Sequence, residues 1–571
     1  MSALLDQDLQ SLQEVRSLLS RAKAAQLKFK EFSQEQVDRV VAAMAEAGFK
    51  ASERLARMAV DETRYGKVAD KTIKNQFSTR DLYEGIKHLK TVGIIREDTK
   101  KKILEIAEPM GVVAAVVPTT NPTSTAMFKC IISVKSRNAV VVSPHPRAKD
   151  CTQEAVHVMR KAAESAGAPP DLCLCLSLPT QEGTNELMRH RDTAVILATG
   201  GTGLVRAAYS AGKPAYGVGP GNVPVYIDRS ADIPKAVADA VAGTTFDWGT
   251  LCSSEQALVV DAPVADRVLE ELNKQKAYFL NEVEAGKVAK VLVTPDFRIN
   301  GEMVGQAPQR IAEAAGIKIP EDTRVLVARL AGVGKQYPLS MEKLSPVLAL
   351  YVEDGWQKGC DRCMELLNFG GRGHTLGIHC NDRDIILQFG LKKPAFRIIV
   401  NSPTAIGAVG YTTELDPSMT LGCGSYGGNI TSDNIGPVHL MNIKRVAWET
   451  KPLAKPRDTG AWRPSVSVES RSREAFPYQK ALSSEVSRKG MAHVSMPAVA
   501  PIAVETSRRD VSTVLGKTQA PVEVSRRDVS TAPPRRNDST QPEPAAQKFG
   551  TSGMTAEQVD KIVEEFSKHR K

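Results

Sequence analysis

Gly111-Val-Val-Ala-Ala-Val-Val117 is an apolar run rich in β-branched residues, and the polar stretch Pro118-Thr-Thr-Asn121-Pro-Thr-Ser-Thr125 follows it directly. The run predicts a buried strand, and the stretch predicts a loop that opens a helix extending to Arg137. The same alternation continues outward, with further strands predicted at residues 139–142, 172–176, 194–197 and 223–227. Repeated strand–helix units predict a parallel, doubly wound α/β sheet whose ligands bind at the carboxyl ends of the strands.

A second α/β lobe is predicted between residues 245 and 400, from strand-like runs at residues 257–260, 291–293, 325–328 and 347–352. Residues 397–400 and 443–447 are also strand-like. We expect these two to return to the first lobe or to pair with another subunit. Residues 1–60 are predicted to be helical.

Composition and charge exclude several classes of protein. The 571 residues are 42% apolar, enough for packed cores in two or three domains, but they contain no uninterrupted apolar run long enough for a transmembrane helix. The N-terminus has no signal-peptide pattern, and the nine scattered cysteines indicate a reducing compartment, so we expect a cytoplasmic protein. The net charge is +10, of which +7 lies in residues 451–571, and no nucleic-acid-binding motif accompanies it.

The C-terminal region differs in composition from the rest of the chain. Residues 451–550 contain 11 prolines and only four aromatic residues, and Val504-Glu-Thr-Ser-Arg-Arg-Asp-Val-Ser-Thr513 recurs as Val522-Glu-Val-Ser-Arg-Arg-Asp-Val-Ser-Thr531. This composition predicts a disordered linker. Thr555-Ala-Glu-Gln558 is then a capping box, followed by an apolar helical face of Val559, Ile562, Val563 and Phe566. We interpret it as a docking helix rather than a frayed chain end.

Three segments carry candidate chemistry. Cys252 lies in the small-residue loop Thr245-Phe-Asp-Trp-Gly-Thr-Leu-Cys252-Ser-Ser-Glu-Gln256, where we expect positive dipoles to lower its thiol pKa and activate it as a nucleophile. Asn121 is either a turn residue or a hydrogen-bond donor to an oxyanion. Thr199-Gly-Gly-Thr-Gly203 follows a strand and precedes a helix, which suits a pyrophosphate. A plain strand–helix turn is its competing interpretation.

In this order and spacing, the three segments resemble the aldehyde dehydrogenase family, and in particular its CoA-acylating branch. The motifs that carry the resemblance are Val117-Pro-Thr-Thr-Asn-Pro-Thr-Ser-Thr125, Ser143-Pro-His-Pro-Arg-Ala-Lys149, Ala198-Thr-Gly-Gly-Thr-Gly203, Gly212-Lys-Pro-Ala215 and Lys343-Leu-Ser-Pro-Val347. The similarity covers roughly residues 20–448. It extends to the aldehyde dehydrogenase half of bifunctional aldehyde–alcohol dehydrogenases, and to propionaldehyde and acetaldehyde dehydrogenases of bacterial microcompartments.

The resemblance implies a Rossmann-type cofactor domain, an α/β catalytic domain and small oligomerisation strands. It divides the chain into N-terminal helices with the cofactor domain (residues 1–243), a catalytic domain (244–405), a return to the cofactor domain with an oligomerisation segment (406–450), the linker (451–550) and an amphipathic targeting helix (551–571). It also implies a homodimer or homotetramer. The terminal helix resembles encapsulation peptides that bind microcompartment shell proteins, which implies a location inside a microcompartment.

The resemblance further assigns roles to residues of this chain. Cys252 accepts the acyl group, and Asn121 forms the oxyanion hole together with the backbone N–H of Cys252. Glu342 corresponds to a glutamate that contacts the nicotinamide ribose, and coenzyme A is the second substrate. The full set of residues expected to bind the cofactor, NAD, is Pro118, Thr119, Thr120, Ser143, His145, Pro146, Arg147, Gly200, Gly201, Thr202, Gly203, Gly219, Glu342 and Pro346.

Two departures from the family pattern bear on the reaction. Hydrolytic members have Glu-Leu-Gly-Gly-Lys where this chain has Gly217-Val-Gly-Pro-Gly221, so the glutamate that activates water is missing. This favours transfer of the acyl group to CoA over release of a free acid. Hydrolytic members also bind the adenosine ribose with a Lys-Pro-x-Glu segment, and this chain has Ser143-Pro-His-Pro146 in its place. Arg147 could therefore meet the 2′-phosphate of NADP, although family precedent favours NAD.

Other candidate residues receive structural interpretations. Cys360 and Cys363 form a CxxC in a helical run without a second ligand pair, so we predict a packed pair and no metal site. Cys173 and Cys175 are predicted core residues. We expect His374 to be structural rather than catalytic, and the role of Cys423, in a Gly-rich loop, is left open.

Three hypotheses of function follow. The first is an acylating dehydrogenase that forms acyl-CoA and NADH through a thioacyl enzyme on Cys252, with the tail adding a targeting role. The second is a hydrolytic dehydrogenase, and the third is a scaffold or cargo protein in which the tail interaction dominates. We favour the first. The aldehyde is not determined, since acetaldehyde, propionaldehyde and a functionalised aldehyde such as sulfoacetaldehyde all fit.

Overall fold

The computed structural model describes residues 6–451. The targeting helix, and all of the linker except Lys451, lie outside the described residues. The helices are α1 (Gln7–Phe29), α2 (Gln34–Lys50), α3 (Ser52–Thr63), α4 (Val68–Gln76), α5 (Leu82–Ile86), α6 (Pro122–Lys135), α7 (Lys149–Ser165), α8 (Gln181–Arg189), α9 (Thr202–Tyr209), α10 (Ile233–Thr245), α11 (Ala265–Lys274), α12 (Glu282–Leu292), α13 (Pro308–Ala314), α14 (Trp356–Phe369), α15 (Arg383–Lys392) and α16 (Thr404–Gly407).

The strands form three sheets. In chain order they are β1 (Gly93–Asp98), β2 (Ile103–Pro109), β3 (Val112–Val116), β4 (Ala139–Ser143), β5 (Cys173–Cys175), β6 (Thr193–Thr199), β7 (Ala215–Val218), β8 (Val223–Ile227), β9 (Glu255–Asp261), β10 (Ala277–Leu280), β11 (Val325–Arg329), β12 (Val347–Glu353), β13 (Gly373–His379), β14 (Ala395–Val400) and β15 (Met441–Ala447).

The first sheet confirms the predicted doubly wound fold. It has five parallel strands in the order β5-β4-β3-β6-β7. Every residue of β3 and β4 is buried, because strands covered by helices on both faces need continuous apolar runs. Val116 at the end of β3 pairs with Ser143 on one side and Ala198 on the other. The loops that follow β4, β3 and β6 therefore leave the sheet side by side.

The second sheet confirms the predicted second α/β lobe, but it includes one strand that was predicted for the first sheet. Its seven parallel strands run in the order β10-β11-β12-β9-β8-β13-β14. The prediction that residues 223–227 close the first sheet is wrong, because β8 pairs with β9 and β13. A strand buried on both faces has the same apolar pattern in either sheet, so its sequence does not reveal which sheet it joins.

Two more strand predictions differ from the structure. Residues 291–293 are not a strand. Val291 and Leu292 end α12, which buries Val288 and Leu292 four residues apart on one face, and Val293 forms only an isolated bridge with Ile299. Residues 397–400 belong to β14, which pairs with β13 in the second sheet rather than returning to the first. A short apolar run fits the buried face of a helix as well as a strand.

The third sheet is antiparallel and has the order β1-β2-β15. Residues 443–447 thus pair with β2, and the outer face of β15 is largely exposed. None of the helices in residues 6–451 has both the length and the apolar character needed to cross a membrane.

Candidate active site

Cys252 lies where the two parallel sheets approach each other. It follows the short helical turn Phe246–Gly249 and precedes β9, and part of its side chain is accessible. Its Sγ lies 3.1 Å from Nε2 of His374, a fully buried residue of β13. The other ring nitrogen of His374, Nδ1, lies 2.9 Å from the hydroxyl of Thr375. The structure therefore forms a Cys–His pair with a third group that orients the ring.

Burial favours the neutral form of both members of the Cys–His pair. Burial, reinforced by the carboxylate of Glu342, raises the pKa of Cys252 to about 12. Burial, reinforced by Arg397, lowers the pKa of His374 well below its ordinary value. The expected lowering of the thiol pKa is therefore wrong for this structure, since burial outweighs the local dipoles. The arrangement suits transfer of the thiol proton to His374 as the sulfur attacks.

Sequence analysis expected His374 to be structural and did not predict its contact with the Cys252 thiol. The only signal was its position in the Gly-rich stretch Gly370-Gly371-Arg372-Gly373. Gly371 and Gly373 have φ of 87° and 80°, and a Cβ on either would lie 1.8 Å from a carbonyl oxygen, of Gly221 and Cys423 respectively. These glycines allow the start of β13 to pack closely against the 217–221 and 421–428 segments, and His374 follows directly.

Asn121, the residue before α6, lies against the Cys252 loop. Its Nδ2 donates to the carbonyl oxygen of Thr250 at 3.2 Å and to the hydroxyl of Thr120 at 3.0 Å. It is only 8% exposed, so its amide lies inside the site rather than at a surface turn. Its role as an oxyanion donor stays a prediction.

A buried ionic cluster that sequence analysis missed holds the same loop. Asp247 is fully buried, and its carboxylate bonds the ammonium groups of Lys71, at 3.0 Å, and of Lys74. Burial alone would raise the pKa of Asp247, but the two lysines hold it below its ordinary value. Asp247 and Trp248 have positive φ of 49° and 52°, so the loop is held in a backbone conformation that ordinary side chains rarely adopt.

Glu342 and the 217–221 segment also lie at this site. The Glu342 carboxylate accepts the N–H of Gly221 at 2.8 Å, and burial raises its pKa to about 7. A Cβ at Gly221 would lie 1.9 Å from the carbonyl oxygen of Cys252. At Gly217 a Cβ would lie 2.7 Å from Val205, so that position has no room for a side chain. Open space surrounds Gly219, and its backbone bonds the buried thiol of Cys423.

The other predicted cofactor residues lie on the three neighbouring loops after β4, β3 and β6. Pro118, Thr119 and Thr120 are half-buried, whereas His145, Pro146 and Arg147 are exposed. Ser143 is buried and bonds the Thr184 hydroxyl at 2.8 Å. Gly200 is half-buried, and Gly201, Thr202 and Gly203 are exposed at the start of α9. Pro346 lies apart from these loops, where its carbonyl oxygen accepts the N–H of Leu326 in the second sheet.

The predicted structural cysteines are buried or partly buried. Cys360 and Cys363 are buried on α14, and the residues that the structure describes contain no cluster of His, Cys, Asp and Glu arranged for a metal ion. Cys173 is fully buried, whereas Cys175 is partly buried.

The approach of Gly221 to Cys252 yields a prediction. Gly221→Ala should displace the carbonyl of Cys252 and slow iodoacetamide alkylation of Cys252 by about 10-fold or more, since a contact of that length cannot be accommodated without moving the loop. Peptide mass spectrometry gives the rate at Cys252 separately from the other cysteines. Gly219→Ala is the matched control and should alkylate at the wild-type rate, because open space surrounds its added methyl group. Equal rates in all three proteins would contradict the close approach.

Comparison with known proteins agrees with this architecture. The sequence model of the aldehyde dehydrogenase family matches residues 4–288. The bifunctional aldehyde-alcohol dehydrogenase AdhE of Escherichia coli is 45% identical over 439 residues, covering 76% of this chain but 49% of that protein. The chain thus spans about half the length of this curated relative.

Two solved structures cover their own chains almost completely. The acetylating aldehyde dehydrogenase of Geobacillus thermoglucosidasius is 54% identical, with a TM-score of 0.78, over 79% of this chain and 100% of its own. A propionaldehyde dehydrogenase from the fucose utilisation bacterial microcompartment of Clostridium phytofermentans is 27% identical, with a TM-score of 0.69, over 77% of this chain and 98% of its own. From the matching fold, the Cys–His site and these similarities, we conclude that the chain belongs to the aldehyde dehydrogenase family.

Proposed function

We propose that this protein oxidises a small aldehyde with NAD and transfers the acyl group to coenzyme A through a thioester on Cys252. The observation that carries the proposal is the 3.1 Å contact between the Cys252 thiol and the His374 imidazole. Position 217, where hydrolytic relatives have their water-activating glutamate, is a glycine without room for a side chain. The similarity to a protein named an acetylating aldehyde dehydrogenase supports the same reaction.

The proposed cycle begins with attack of sulfur on the aldehyde carbonyl. His374 Nε2 takes the thiol proton, the S–C bond forms, and the carbonyl electron pair moves onto oxygen, which faces the Asn121 amide. Bound nicotinamide supplies the hydride acceptor. Loss of hydride re-forms the carbonyl and leaves a thioacyl group on Cys252, and the proton on His374 is released to water. The CoA thiol then gives its proton to His374 and attacks the carbonyl carbon, and the departing Cys252 sulfur takes that proton. Each step is reversible, so the protein also reduces acyl-CoA.

The dinucleotide is proposed to lie on the loops after β4, β3 and β6. Gly201 and Gly203 have open space where a side chain would be, which leaves their backbone N–H groups at the start of α9 accessible to a pyrophosphate. The Arg147 guanidinium bonds Glu302 at 2.9 Å, and this pairing supports NAD over NADP.

The first prediction separates the acylating reaction from hydrolysis. Purified protein with aldehyde and NAD should form NADH continuously only when CoA is present, because a thioester without a positioned base reacts slowly with water. Cys252→Ala should abolish the CoA-dependent rate. Absorbance at 340 nm, run over acetaldehyde, propionaldehyde and sulfoacetaldehyde, measures the rate and identifies the substrate. Full-rate NADH formation without CoA would instead support a hydrolytic dehydrogenase.

A second prediction concerns His374 and pH. Because the pKa of Cys252 is raised, its alkylation rate should climb continuously from about pH 7 to pH 10, without a plateau at the pKa of an ordinary thiol. Because the pKa of His374 is lowered, the imidazole stays neutral near pH 6.5 and should cause no inflection there. His374→Gln should reduce kcat by on the order of 10²-fold at neutral pH, with a smaller loss at alkaline pH.

The matched control for His374 lies on the same strand. His379 is also buried, and burial lowers its pKa to about 4, but it lies at the opposite end of β13. His379→Gln should keep the wild-type alkylation profile and kcat. A His374→Gln protein with the wild-type rate at neutral pH would show that the imidazole does not accept the proton.

We also propose that the C-terminal helix directs the protein into a bacterial microcompartment, and that the folded part forms a homodimer or homotetramer. The exposed outer strand β15 supports the oligomer, with Val446 40% and the adjoining Trp448 53% exposed. The similarity to a dehydrogenase from a microcompartment supports the location. Sulfoacetaldehyde or another functionalised aldehyde is the alternative substrate, and a cargo protein with a dominant tail interaction is the alternative function.

The targeting proposal predicts the behaviour of a simple fusion. Residues 549–571 joined to a fluorescent protein should give discrete foci in cells that build compartments, because the apolar face binds shell protein. Fluorescence microscopy measures the distribution. Val559→Asp in the same fusion should abolish the foci, and diffuse fluorescence from the unaltered fusion would count against targeting.

A further inference from the structure

The ammonium group of Lys74 lies between the predicted oxyanion donor and the loop that carries the nucleophile. Lys74 is on α4 and is only 4% exposed. Its Nζ bonds Oδ1 of Asn121 at 2.5 Å, the carboxylate of Asp247, and Oγ1 of Thr250 at 3.2 Å. An ammonium has three N–H donors and no acceptor, so these three contacts use all of its donors.

These contacts determine which way the Asn121 amide points. The two ends of an amide have nearly the same shape, and a neighbouring group must distinguish oxygen from nitrogen. The Lys74 ammonium can only donate, and only the oxygen end of the amide can accept from it. Oδ1 therefore faces Lys74 and Nδ2 faces away. Nδ2 accordingly lies against the carbonyl oxygen of Thr250, two residues before Cys252.

The second lysine of the cluster does not share this contact. Lys71 lies about one turn earlier on α4 and bonds the carboxylate of Asp247 at 3.0 Å. Its other contact is the backbone carbonyl of Thr120, at 2.9 Å. Both lysines therefore stabilise the same buried carboxylate, but only Lys74 bonds the Asn121 side chain among the contacts of this cluster. This difference provides a matched control.

We propose that Lys74 is the positioning residue of the oxyanion hole, holding the Asn121 amide with its N–H groups toward the carbonyl that Cys252 attacks. The inference rests on the proposed function. When the S–C bond forms and the carbonyl π pair moves to oxygen, the Nδ2 hydrogen that bonds the Thr120 hydroxyl turns to donate to that oxygen, while Oδ1 stays bonded to Lys74. The thiol proton goes to His374, and Lys74 acts through its hydrogen bond to Oδ1. Without Lys74 the amide is free to turn its oxygen toward the developing negative charge.

The test measures both catalysis and coupling. Lys74→Met should lower kcat by about 10- to 100-fold with little change in the KM for NAD, since the loss falls on the transition state. Asn121→Ala should lower kcat by about 100-fold or more. The double variant should be no slower than Asn121→Ala alone, because Lys74 acts only through that amide. Lys71→Met, which removes an ammonium from the same carboxylate, should cost less than about 3-fold in kcat.

Two results would overturn the inference. One is additive losses in the double variant, and the other is an equal loss in Lys71→Met, because either would show that Lys74 merely supports the cluster. Thermal unfolding and alkylation of Cys252 verify that each variant is folded. If Lys74→Met does not fold, the variant Lys74→Met/Asp247→Asn removes the cation and the carboxylate together. Adding Asn121→Ala to that variant should then give a protein no slower than Asn121→Ala alone.

An ester substrate separates this inference from the proposed function. p-Nitrophenyl acetate acylates Cys252 with release of p-nitrophenolate, forms the same oxyanion, and needs neither NAD nor CoA. The rate of p-nitrophenolate release should fall by similar factors in Lys74→Met and Asn121→Ala. If the variants showed these parallel losses but the wild-type protein formed no NADH from aldehydes, the proposed function would fail and the role of Lys74 would stand. An unchanged ester rate in Lys74→Met would refute the role itself.

Discussion

The buried carboxylate of Asp247 is the constraint on which the active-site loops depend. Removing a charge from water is costly unless the charge is paired and fully hydrogen-bonded. Here the Asp247 carboxylate pairs with the ammonium groups of Lys71 and Lys74 and accepts the N–H of Lys67. Gly66 makes room for it, since a Cβ there would lie 1.9 Å from the carboxylate oxygen. Because α4 carries both lysines and Asp247 belongs to the loop before Cys252, these ion pairs join α4 to that loop.

Close backbone approaches bring the remaining parts of the site to that loop. Gly221 lies against the Cys252 carbonyl, and Gly371 and Gly373 let the start of β13 lie against the 217–221 and 421–428 segments. The result is a Cys–His pair whose members come from separate stretches of the second lobe, while the Asn121 amide, from the loop after β3, bonds the carbonyl of Thr250 in the Cys252 loop. Glycine is required at these points because side chains there would overlap backbone atoms.

Burial explains the chemistry of this site better than charge does. Desolvation disfavours both the thiolate and the imidazolium, so it raises the pKa of Cys252 and lowers the pKa of His374. The same tight packing leaves no space for a water-activating side chain at Gly217. The proposed transfer to CoA depends on the absence of a positioned base, because a thioester then reacts slowly with water.

The amino-acid sequence by itself determined the doubly wound sheet, the second lobe, and the choice of Cys252 and Asn121 as candidate site residues. Apolar periodicity and local motifs are contained in short stretches of chain, so they can be recognised without the tertiary structure. Only the tertiary structure placed β8 in the second sheet, turned residues 291–292 into helix, and brought His374 and Lys74 to the site. His374 is 122 residues from Cys252, and Lys74 is 47 residues from Asn121. Such contacts, and the pKa shifts caused by burial, exist only after distant segments have packed together, so no local pattern in the sequence reports them.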